Sequence, residues 1–73
     1  MTNQNPHNQQ PDVDDALRAR IIARASAING SLLARLATVS DDLDAGGHRA
    51  ALGGLDGIER EITTMRSLLL LLA

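Results

Sequence analysis

The chain has 73 residues, 44% of them hydrophobic and 22% charged, and a net charge of −2. That length allows one small domain at most. Without Cys, Phe, Tyr or Trp the chain has no disulfide, thiol nucleophile, Cys-based zinc or iron–sulfur site, nor any aromatic platform for single-stranded nucleic acid.

Residues 2–11 hold six of the seven Asn and Gln residues and no aliphatic side chain. Such a stretch cannot bury apolar surface to offset its ordering entropy, so 1–11 is predicted to be a disordered polar tail with His7 solvated. Neither a basic start nor an apolar run of signal-peptide type occurs there. The longest apolar run, Leu68–Ala73, has six residues, against about 20 for a membrane span. A soluble, cytoplasmic protein is expected.

The folded part is predicted to cover 12–73. Asp12 is placed to cap a first helix, with Asp14 and Asp15 at the positive end of its dipole. Apolar residues then recur at Val13, Leu17, Ile21, Ala25, Ile28, Leu32, Leu36, Val39 and Leu43, in gaps of three and four that predict helix 1 over about 13–45. Asn29-Gly30 is a turn signal inside this stripe. The stripe keeps its phase there, so a continuous helix with a weak point is expected. Gly46-Gly47 is the predicted turn, since glycine after a helix end can take the left-handed conformation. Asp41, Asp42 and Asp44 oppose the dipole at that end and leave open a stop near Val39.

Helix 2 is predicted over about 48–72. Ala51, Leu55, Ile58, Ile62, Met65, Leu69 and Leu72 alternate gaps of four and three, a heptad seam. Gly53, Gly54 and Gly57 weaken its first third, and Asp56 with Glu59 resembles a capping box that could start the stable helix at 56. The fold class expected is all-α: an antiparallel hairpin of two long helices that completes a helical bundle by oligomerising or binding a partner.

A partner is expected because a hairpin cannot cover both of its seams. Ile22 and Leu33 lie beside the helix 1 stripe, next to a small-residue face of Ala16, Ala19, Ala23, Ala34 and Ala37. On helix 2, Ala50, Gly53, Gly57, Thr64, Leu68 and Leu71 form a second face opposite the seam. Leu68, Leu69, Leu70, Leu71 and Leu72 point all round the helix, and an end apolar on every side is expected to be buried on every side. The predicted protein interface is Leu55, Ile58, Ile62, Met65 and Leu68–Leu72, with Ile22 and Leu33 of helix 1. Leu71→Glu is expected to break the assembly and Glu61→Lys to leave it intact.

No catalytic constellation emerges. The carboxylate clusters read as helix ends or solvated surface, Glu59 and Glu61 flanking Arg60 among them, and catalytic carboxylates need a cleft that excludes water. His7 and His48 are distant, and the glycine pairs lack the strand and Gly-Lys-Ser/Thr of a phosphate loop. No enzyme activity, cofactor or metal is expected. All seven basic residues are Arg. Arg20, Arg24 and Arg35 share a stripe that could contact an anion or nucleic acid in a hairpin dimer. The slightly acidic balance makes nucleic acid the lesser candidate. The partner is expected to be a second copy or another helical protein. The function class is a non-enzymatic adaptor, accessory subunit or chaperone-like protein.

Two local likenesses accompany this reading. Ala16-Leu17-Arg18-Ala19-Arg20-Ile21, followed by Leu32-Leu33-Ala34-Arg35-Leu36, resembles the opening helix of helical chorismate mutases. The chain departs from it at Ile22, where an acidic residue belongs, and has no room for the other catalytic helices. Leu32, Leu36, Leu43, Gly46-Gly47, Leu55 and Ile62 resemble the layout of hairpin co-chaperones of type III secretion needle subunits over about 31–72. That resemblance implies a helical partner subunit, and the aromatic residues common in the family are absent here.

Overall fold

The computed structural model describes the backbone of residues 4–73 and the side chains from Asp14 onward. The chain forms α1 (Gln4–Asp44) and α2 (His48–Leu70), packed antiparallel. The rod they make measures 68 × 15 × 11 Å. α1 begins well before the start that apolar spacing predicts, and its backbone is helical over 4–11, the stretch expected to be disordered. Extending a helix that is already nucleated needs no apolar anchor at its end, although Pro11 has no N–H to donate to the His7 carbonyl and so adds no bond there. The side chains of His7 and Asp12 lie outside the described residues. α1 passes unbroken through Asn29-Gly30, where an added Cβ would meet nothing within 4 Å.

The turn explains how α1 survives three aspartates at its negative end. Gly46 has a φ of 79°, a region closed to most L-residues. Its N–H donates to the Leu43 carbonyl at 3.0 Å, and the Gly47 N–H donates to that of Asp42 at 2.7 Å. This pair of bonds is the Schellman arrangement, which satisfies carbonyls the helix end would otherwise leave free. Gly46→Ala is expected to lower stability by about 1–2 kcal/mol, the cost of a Cβ in the left-handed region. Urea unfolding followed by circular dichroism measures it.

α2 starts at His48 directly after Gly47, without a side-chain cap. It does not wait for Asp56. It ends at Leu70, and Leu71, Leu72 and Ala73 close in tighter turns, donating to the carbonyls of Leu68, Leu69 and Leu70. The core between the helices is small. Ala25, Ile28, Leu32 and Val39 of α1 and Ala51 and Ile58 of α2 are buried. Met65 and Leu68 pack against them.

Gly54 and Gly57 of α2 have a packing role. A Cβ on Gly54 would lie 2.7 Å from Val39 Cγ2, whereas one on Gly53 would meet nothing within 4 Å. Both positions would gain about 1 kcal/mol of helix propensity from alanine. Only Gly54 would have to force the stiff Val39 side chain aside, at about 1–3 kcal/mol. Gly53→Ala is therefore expected to raise the melting temperature and Gly54→Ala to fall below it. Equal behaviour of the two in thermal melts would show that the helices do not approach this closely.

Candidate protein-interaction face

Register is set by contacts between the helices. Ser31 Oγ donates to both Glu61 carboxylate oxygens at 3.0 Å, and Arg35 Nε donates to Glu61 Oε1 at 3.1 Å. The Arg35 guanidinium also lies over buried Gly57, 2.8 Å from where a Cβ would stand. Val39 sits against Gly54. Ile21 accordingly faces Leu72 and Leu71, with which it lines a groove. Leu17 falls at the far edge of that groove, past the level of Ala73, and is exposed.

These contacts correct several expectations. Glu61 is the hub of the interhelical polar cluster, not part of a solvated face, so Glu61→Lys cannot serve as a neutral control. Arg35 bonds to Glu61, and like Arg20 and Arg24 it is exposed. The heptad seam of α2 divides in two. Ala51, Ile58, Met65 and Leu72 turn toward α1, whereas Leu55, Ile62 and Leu69 stay exposed. Gly57 and Leu68, assigned by spacing to the opposite face, belong to the contact with α1. In the leucine block, Leu68 and Leu72 are half-buried and Leu69, Leu70 and Leu71 are exposed.

The exposed apolar residues are not scattered. At about 100° per residue, Leu36 and Leu43 lie about 60–80° to one side of Ile28, and Ile22 and Leu33 about 120–140° to that same side. On α2, Ile62 and Leu55 lie about 40–60° from Ile58, and Leu52 and Leu70 about 120°, again in the same rotational sense. In antiparallel helices, equal senses of rotation away from the mutual contact lead to the same side of the pair. The hairpin therefore has one apolar face. Ser31, Arg35 and Glu61 lie in the other rotational sense on their helices, so the polar cluster marks the opposite side.

Nine large aliphatic side chains on that face are 40–63% exposed, with Leu33, Leu43, Leu52 and Leu70 near three-fifths. Ile22, Leu36, Leu55, Ile62 and Leu69 complete the set. A shallow groove of about 350 Å³ runs along it between Ile62, Met65, Arg66, Leu69 and Leu70. Spacing treats the α1 stripe as one straight line and so does not mark Leu36 and Leu43 as surface residues, and Leu52 of α2 lies outside the seam that spacing follows. Steps of four advance about 40° and steps of three retreat about 60°, so the stripe winds, and Leu36 and Leu43 drift off the contact. Leu71, 70% exposed, points away from this face, so it is the wrong probe of it.

Among the described residues, no three His, Asp or Glu side chains converge as metal ligands. No described helix is long and apolar enough to cross a membrane. Compared with protein-family models, curated proteins and solved structures, the chain matches none.

Proposed function

We propose that the chain is a small non-enzymatic assembly protein, an adaptor or accessory subunit that works by burying its apolar face against another helical surface. The observation that carries this is the segregation of nine exposed aliphatic side chains onto one side of the hairpin. Burying one such side chain fully is worth roughly 1.5–3 kcal/mol, and a continuous patch of this kind on a free monomer is an aggregation hazard. The groove beside Ile62 and Leu69 is open and apolar, a shape suited to a side chain from a neighbouring helix.

Sedimentation equilibrium across a wide concentration range, with circular dichroism on the same samples, tests this. A discrete helical assembly that dissociates when a residue of the face is made acidic is the expected result. A fully helical monomer, soluble at millimolar concentration whether or not the face carries the acid, would overturn it.

A further inference from the structure

Resting on that docking face, we infer that its occupant is a second copy of this chain, lying across it with α2 antiparallel to α2 and the two-fold axis at Ile62. The α2 row of that surface is palindromic about that residue. Leu55 stands seven residues before Ile62 and Leu69 seven after, on nearly the same line of the helix. Turning one hairpin over about Ile62 brings Leu55 of each copy to Leu69 of the other and Ile62 to itself. Each Leu55 then enters the groove between Ile62 and Leu69.

Two charges between the apolar rows of α2 obey the same symmetry. Glu59 and Arg66 sit three residues before and four after Ile62, both exposed. The one salt bridge among the described residues is Arg35–Glu61, so neither is paired within the chain. The rotation sets Glu59 of each copy within about one residue's rise of Arg66 on the other. On α1 the axis falls at the level of Gly30. Leu43 then comes level with the second copy's Leu17, and Asp42 with its Arg18. With the two hairpins parallel instead, Glu59 and Arg66 would lie at the levels of Leu33 and Ser26, with no opposite charge.

Area agrees as well. A stable pair buries roughly 800 Å² on each side, and the exposed portions of nine Leu and Ile side chains are of that order. A two-fold contact uses the same patch on both partners, which a face complementary to itself in shape and charge provides.

The absence of cysteine makes cross-linking direct. Single-cysteine chains are treated with a short bis-maleimide. Ile62→Cys is expected to link to itself in high yield. Leu55→Cys and Leu69→Cys each sit roughly 20 Å from their own copies, and are expected to link only when mixed with one another. Because Ile62→Cys removes apolar surface, a charge exchange provides a second measurement. Glu59→Arg alone and Arg66→Glu alone are each expected to weaken the dimer about three- to tenfold, and the double variant to recover it. Links between Leu55→Cys chains alone, or a double variant no tighter than the singles, would overturn the antiparallel pair. An assembly that Leu36→Glu dissociates but Ile62→Cys cannot self-link would overturn the pair and leave the docking face standing. A monomer insensitive to Leu36→Glu would remove both.

Discussion

Leu36→Glu is expected to dissociate the assembly at least about 100-fold while Ala37→Glu, one residue away, leaves it unchanged. Leu36 is 47% exposed in the hairpin, so a carboxylate there stays hydrated in the single chain. In the assembly it would be covered, and an unpaired charge taken out of water costs several kcal/mol. A two-fold interface carries the substitution twice, and each 1.4 kcal/mol is a factor of ten in affinity. Ala37 is exposed on the back of α1, about 180° from Ile28, where the same charge meets only solvent. Sedimentation equilibrium of the two variants reads the difference. Equal dissociation of both would mean the apolar face is not where the chain associates.

Ile58→Ala is expected to cost about 2–5 kcal/mol, the loss of a buried aliphatic side chain plus the cavity it leaves. Among the described residues only six hydrophobic side chains are buried, and Ile58 is the largest that α2 supplies. A chain of this size holds a small stability margin, so the variant is expected to be largely unfolded in dilute solution at 25 °C. Because assembly binds only the folded chain, its melting temperature should climb with protein concentration. Circular dichroism melts at two concentrations a hundredfold apart measure both effects. A melt within about 1 kcal/mol of the parent would mean that Ile58 does not hold the helices together.

The hairpin itself was legible in the sequence because its signals are local. Three-and-four spacing marks helices, and Gly46-Gly47 marks a turn. Rotation of the helices about their own axes was less legible. The α2 seam has seven members, and spacing alone cannot tell which half meets α1. Gly54 and Gly57 decide it: the side without Cβ lets Val39 and Arg35 come close, and the large residues Leu55, Ile62 and Leu69 are turned outward. Helix rules counted those glycines as weak points, whereas in the packed pair they are contacts. Glu61 was hidden for a related reason. In sequence it is one of several charges beside Arg60. Only the crossing of α1 brings Ser31 and Arg35 to it. Ile22 and Leu33, singled out by their angle from the stripe, are exposed where that angle puts them.

The closed turn at Gly46 also bears on the order in which the chain folds. Contacts between antiparallel helices grow steadily more distant in sequence with distance from the turn. Val39 and Gly54 enclose a short loop, while Ser31 and Glu61 enclose a longer one. Closing the shorter loop costs less chain entropy, so pairing spreads from the turn as a zipper closes, and local contacts of this kind favour rapid folding. A defect at the turn then acts before the transition state and one near Ala25 after it. In stopped-flow measurements the loss caused by Gly46→Ala is accordingly expected to appear as slower folding, with the unfolding rate nearly unchanged.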